Sequence, residues 1–277
     1  MAFRPKSDWL PRVAAVAIFT LAVSVCVAPI KTAMAAPFVV GTMGGQAGGI
    51  VANLVSNAQG PLDISVLQSN TLDAAFFNQI DAFVFGNGQG PLTITLGMPA
   101  RTNLLGFVTN GGHAYMGLDL IGDGNQIASD FGFNMVDRQV LSQTGMITNP
   151  AHPITTGPFQ PASLFPMSVF GHFDNTLPAG GSIIGTAPHG NALAFLGANA
   201  LQAGSGKVYI YSDEVPLFGG AGDTATAHNN ALFQNALVDM GAMLRVPEPG
   251  TLALFGLGLA GLGCMRRRRR APGAVRP

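Results

Sequence analysis

Cysteine is missing from the whole middle of this 277-residue chain: the two present, Cys26 and Cys264, lie in hydrophobic segments near the ends. The stretch between them can form no disulfide, offers no thiolate nucleophile and cannot build a cysteine-ligated zinc site. Charge is scarce too, since only 10% of residues are Asp, Glu, Lys or Arg, against roughly 25% in an ordinary soluble domain. The middle has no G-x-S-x-G elbow, none of the five histidines are four apart, and no repeat of 20–50 residues appears. An α/β-hydrolase nucleophile, a helical zinc pair and a solenoid therefore have no warrant in the sequence.

What charge there is divides by position. Residues 1–36 carry four basic side chains against Asp8, residues 37–246 carry 4 basic against 12 acidic, and residues 247–277 carry six arginines against Glu248. The formal net charge of zero is a cancellation between basic ends and an acidic body. Nucleic-acid binders gather positive charge on the folded part, so nucleic acid is excluded as a partner. At 48% apolar residues the chain is not disordered, and 210 residues between the ends suffice for one full core.

The ends read as addresses. Three positive charges within residues 1–12 precede sixteen uncharged residues, 13–28, and a small-residue Ala-x-Ala-like stretch before Pro37. This is the pattern of a secretory signal cleaved near Ala36, with an uncleaved anchor as the alternative. At the other end, Pro247, Glu248 and Pro249 lead into the apolar run 251–265 and then Arg266, Arg267, Arg268, Arg269 and Arg270. Fifteen residues rise only ~22 Å as a helix, so the run spans a bilayer marginally, helped by arginine snorkelling and local thinning. The positive-inside rule keeps the arginines cytoplasmic and puts the body across the membrane, where an N-terminal signal also sends it.

This tripartite tail closely resembles the PEP-CTERM sorting signal. The resemblance implies recognition of Pro247, Glu248 and Pro249 by an exosortase, a membrane transpeptidase of Gram-negative bacteria. It further implies an inner-membrane-anchored precursor and a cell-surface or extracellular product; a plain C-terminal anchor is the alternative. Two prolines hold 247–249 out of any helix, which suits a cleavable site.

In the body, strand and helix signals alternate, which predicts βαβ units and a largely parallel sheet. Strands are expected from Phe38 and over 62–67, 81–88, 168–173, 182–187, 191–197 and 207–214; helices over 50–57, 71–79, 125–133 with Asn125 as N-cap, and 229–244. Over 103–117 a helix is stopped by Gly111-Gly112 and followed at once by a strand. Three segments, 1–36, 37–246 and 247–277, result. The motifs at 81–88, 104–116, 125–133, 152–157, 206–214 and 229–237 resemble the class I glutamine-amidotransferase-like fold and its non-catalytic relatives. The resemblance implies an α/β, flavodoxin-like, mostly parallel sheet flanked by helices, here with a signal helix before it and a transmembrane helix after it. That family's catalytic members use a cysteine on a sharp strand-to-helix turn, with a histidine partner and an acidic residue; the position after the Gly111-Gly112 strand is occupied here by Tyr115, Met116 and Gly117. No catalytic residue is assigned.

Other groups are suited to chemistry. Ser212, Asp213 and His228 could form a triad on paper. The glycines of 41–49 could cradle a phosphate but match neither a P-loop nor G-x-G-x-x-G. Asp119, Asp123 and Asn125 are oxygen ligands in ordinary turn company. The best-warranted constellation follows from the tendency of ligands to collect beyond the carboxyl ends of parallel strands. It comprises Asn87, Gln89, His113, Asp213 and Glu214, an acidic, amide-lined crevice suited to a sugar or a cation. No metal or cofactor is expected. The sequence thus predicts an exported, non-enzymatic surface protein with extracellular polysaccharide as a partner; an exported hydrolase of glycan or ester bonds is the alternative.

Overall fold

The computed structural model describes residues 36–44, 51–86, 95–119, 123–159, 163–213 and 223–244. The expected signal helix before residue 36 and the transmembrane helix over 251–265 lie outside them. Among the described residues no helix is long and apolar enough to cross a membrane.

Among the described residues nine strands form one sheet: β1 (Phe38–Met43), β2 (Ile64–Ser69), β3 (Ala82–Gly86), β4 (His113–Gly117), β5 (Met135–Ile147), β6 (Leu164–Phe173), β7 (Gly181–Ala187), β8 (Gly190–Leu196) and β9 (Val208–Tyr211). Their order is β2-β1-β3-β4-β9-β8-β6-β5-β7. The first five are parallel neighbours, and β2-β1-β3-β4 followed by a fifth parallel strand is the flavodoxin order. The other four pair only antiparallel, and β7 closes back onto β8. The sheet is therefore mixed, whereas the sequence predicted a mostly parallel one. The physical reason lies in the connections: β7 and β8 are joined through Pro188-His189 alone, too short for the crossover that a parallel pair requires.

Six helices among the described residues cover the sheet: α1 (Val51–Gln59), α2 (Ala74–Phe77), α3 (Met98–Thr109), α4 (Gly124–Asp130), α5 (Pro153–Thr156) and α6 (Asp223–Met240). Strand alternation sends side chains to two cores. Val40, Val84, Tyr115, Tyr209 and Tyr211 face α1 and α6, packing with Leu54, Leu232, Phe233 and Leu237. Phe83, Phe85, Ala114, Met116 and Ile210 face the other way, onto Phe76, Leu104, Val108 and Ile127 of α2, α3 and α4.

The predicted stop after α3 is borne out. Gly111 has φ +105°, its N–H donates to Val108 O, and the Gly112 N–H donates to Phe107 O, a Schellman cap. A side chain on Gly112 would meet the Phe107 ring. Asn125, by contrast, is not the N-cap of α4. Asp123 takes that position, and the Asn125 amide instead accepts the Met135 N–H at 2.9 Å, tying the helix to β5. Arg101 links α3 to α4 through two 2.7 Å bonds to Asp130.

Candidate functional site

The parallel strands end at one edge in a cluster of buried polar groups. Register places Val84, Tyr115 and Tyr209 level, and Gly86, Gly117 and Tyr211 level one step further on. Two adjacent glycines beside a tyrosine leave the sheet face low there. The Tyr115 and Tyr211 hydroxyls bond at 3.0 Å, and burial raises the pKa of both. Just beyond the strands come Asp119 on β4's continuation and Ser212-Asp213 on β9's, all fully buried. The Leu118 N–H donates to Tyr211 O at 2.9 Å, so the β4–β9 ladder runs on past the last register pair.

Helix α6 lies on the tyrosine face of this edge. Its Phe233 ring is 5.0 Å from Tyr115, and its last residue leads to Gly241, whose Cα faces Phe38 at the start of β1. The helix therefore runs from the carboxyl edge to the amino edge, and Asn229, one turn before Phe233, lies toward the carboxyl edge. Asn229 is 2% exposed, and neither its Nδ2 nor its Oδ1 has a hydrogen-bond partner. The Oγ1 of Thr42 on β1 and the Oγ of Ser212 are also buried without partners. Each orphaned group costs about 1–3 kcal/mol, so three on one edge mark a place where stability is sacrificed. Asn235, six residues along the same helix, shows the normal case: its amide bonds Ile154 O, Phe159 O and the Phe159 N–H. These three groups are neutral and between them both donate and accept, which is the complement of hydroxyl groups; elsewhere the Asp123 Oδ1 before α4 and the His172 Nδ1 on β6 are also buried without partners.

The predicted crevice is not assembled as expected. Asp213 lies at the carboxyl edge, but His113 is the first residue of β4 and so lies at the amino edge. The physical reason is that the Gly111-Gly112 cap ends α3 immediately before the strand, leaving no room for His113 to come at the strand's far end. Asn87, Gln89 and Glu214 lie outside the described residues, as do Pro247, Glu248, Pro249 and the Arg266, Arg267, Arg268, Arg269, Arg270 run. The paper triad is not joined either: the Ser212 hydroxyl bonds nothing, His228 included. Asp123 accepts the Leu96 N–H, and burial raises its pKa. Asn125 is likewise committed, its Oδ1 accepting the Met135 N–H, so two of the three residues considered for a cation have an oxygen bonded to the backbone. Asn229 could have been found in the sequence, since it continues the apolar stripe of Phe233 and Leu237 as a polar residue.

His113 instead borders a cleft of about 670 Å³ at the amino edge, between α2, α3 and the end of α6. Its Nδ1 accepts the Lys207 N–H at 2.9 Å. Burial, and then the positive charge of Lys207, lower its pKa. Lys207 Nζ bonds both the carboxylate and the carbonyl of Asp239, whose second oxygen accepts the Tyr209 hydroxyl at 2.8 Å.

Comparison with known proteins separates tail from body. Residues 245–269 match the PEP-CTERM protein-sorting motif, so the tail recognised in the sequence is that motif. No curated protein sequence matches the chain. By structure, a cytoplasmic protein of Salmonella typhimurium is similar at 15% identity and TM-score 0.52, covering 76% of this chain and all of its own. A second cytoplasmic protein, from Salmonella typhimurium LT2, is similar at 16% identity and TM-score 0.51 over 73% of this chain and 98% of its own. The mmIFT52 N-terminal domain is similar at 10% identity and TM-score 0.53, over 73% and 96%. These likenesses concern the fold alone.

Proposed function

We propose that this chain is an exported protein sorted by an exosortase, whose body is a non-catalytic module that binds a hydroxyl-rich, uncharged ligand of the saccharide class. The 245–269 motif supports the sorting. The apolar run 251–265 and the five arginines supply a membrane-anchored precursor with its body outside the cytoplasm, and processing then releases the product to the cell surface or extracellular polysaccharide.

The orphaned Asn229 amide carries the binding role. A buried amide retained against a cost of about 1–3 kcal/mol is accounted for when a ligand hydroxyl donates to Oδ1 and accepts from Nδ2. Thr42 and Ser212 lie on the same edge and offer hydroxyls of like chemistry. The absence of any cysteine from the body and the unpartnered Ser212 hydroxyl favour binding over turnover, because an activated nucleophile needs its base within hydrogen-bond reach.

The exported full-length protein, screened against glycan and ester panels, tests the reading. Saccharide binding without turnover, lost in Asn229→Leu, is expected. Turnover abolished by Asp213→Ala would establish the hydrolase alternative instead.

A further inference from the structure

The amino-edge cleft is a second place where chemistry converges, about one strand length from the orphaned groups. Its volume is in the range of small-molecule pockets, and its walls lean toward negative charge. The carboxyl ends of two long helices reach it, at Asn110 of α3 and at Met240-Gly241 of α6. A helix end presents carbonyls equivalent to about half a negative charge. Neither helix has a basic residue in its last turn. At α6 this is offset by Lys207, whose ammonium is held on Asp239 O and Oδ1. At α3 the last carbonyls take backbone N–H groups and the Gln202 amide, and among the described residues no Lys or Arg lines the cleft.

Asp81 adds a full charge. Its backbone joins β1 and β4, donating to Val39 O and accepting from the His113 N–H, so the residue is fixed in place. Its Oδ2 accepts the Val39 N–H at 2.7 Å, and the side chain is otherwise exposed. Half-buried Phe38 and Phe107 supply aromatic surface on the same walls. The amide of Asn103 donates Nδ2 to Leu72 O at 3.0 Å, which leaves its carbonyl oxygen for a donor. Carboxylate, the negative end of a helix dipole, an amide oxygen and two phenyl rings are what a cation on an apolar stem requires. An anion would meet like charge.

We infer that this cleft binds an organic cation, an ammonium or guanidinium group on an aliphatic stem, separately from the carboxyl-edge site. The cationic head sits at Asp81, beside the negative dipole end of α3, and the stem lies along Phe38 and Phe107. Free polyamines and basic side chains of another protein share this chemistry.

Calorimetry on the full-length protein with three probes tests this: 1,5-diaminopentane, a lysine-containing tripeptide blocked at both ends, and glutarate, a dianion of similar length. Saturable binding of at least one amine is expected, with none of glutarate. Binding of the diamine assigns the site to free polyamines; binding of the peptide alone assigns it to a protein's basic side chain. Asp81→Asn keeps an acceptor for the Val39 N–H while removing the charge, and should weaken amine binding at least tenfold. Phe107→Leu should weaken it several-fold, and Asn229→Leu should leave it unchanged. Failure of both amines to bind, glutarate binding as tightly, or full affinity in a folded Asp81→Asn variant would overturn the inference. Should Asp81→Asn not fold, the amine-against-glutarate comparison on the unaltered protein decides alone. Because the saccharide reading is tested at Asn229, either site can fail without the other.

Discussion

Lys207 Nζ lies 2.8 Å from Asp239 Oδ1, joining the residue before β9 to the last turn of α6. The carboxylate also takes the Tyr209 hydroxyl, whose ring is in the core between α6 and the sheet. Asp239→Leu leaves the half-buried ammonium with only the backbone carbonyl of residue 239 and the buried phenol without its acceptor. Breaking a buried pair costs about 3–5 kcal/mol. Lys207 keeps some access to water, so a loss of about 2–3 kcal/mol is expected, read as a lower urea midpoint. Tyr209→Phe should cost about 1 kcal/mol. Equal effects would mean that the ion pair itself contributes nothing.

Two histidines make stability depend on pH. His113 Nδ1 accepts the Lys207 N–H and His152 Nδ1 accepts the Ile154 N–H, so each ring must be unprotonated at that nitrogen. Burial lowers the pKa of both below 6.5, with Lys207 adding to the effect. Between that folded value and 6.5 the unfolded chain binds more protons, so stability rises with pH there and is lost on acidification through the window. Unfolding free energies measured at intervals from pH 8 to pH 5 should be flat at the top and decline below about 6.5. In His113→Gln the decline should be smaller; an unchanged slope in both His113→Gln and His152→Gln would contradict the assignment.

Asn229→Leu should raise stability by about 1–2 kcal/mol while abolishing saccharide binding, because it removes an unsatisfied buried amide and fills the site with an apolar group. Thermal unfolding measured beside the binding assay separates the two effects. A large loss of stability would show instead that the amide is satisfied in solution and serves the fold.

Gly206→Ala should be among the most damaging small substitutions. A Cβ there would clash with the Gly112 carbonyl oxygen, a backbone atom of the residue that closes the α3 cap. The backbone must shift, at about 1–3 kcal/mol or more. Gly204→Ala faces no atom within 4 Å but has φ +89°, so its cost should be the smaller one of strain alone. Urea denaturation of the pair checks the ranking.

The parallel half of the fold was legible because its strands are buried on both faces and punctuated by glycine. Ala82–Gly86 is a continuous apolar run, and Gly111-Gly112 announces both the end of α3 and the start of β4. The antiparallel half was harder to read. β5, the longest strand, includes Asp137 and Arg138, and its register shifts twice against β6, so no clean alternation marks it. The site was legible only in part. Period and parity place Asp213 at a strand end, but which end His113 occupies depends on a cap one residue away. Asn229 is visible as a polar break in an apolar helix stripe, yet whether such a residue is satisfied, as Asn235 is, depends on contacts from distant segments.

The account stands or falls on the tail. Mass spectrometry of the native protein's C-terminus, run on separated cytoplasmic, membrane and extracellular fractions, tests it most directly. The account predicts a surface or extracellular protein lacking residues 251–277, and a membrane-held, full-tailed form when Pro247, Glu248 and Pro249 are replaced by alanine. A full-length tail on protein recovered from the cytoplasm would contradict it.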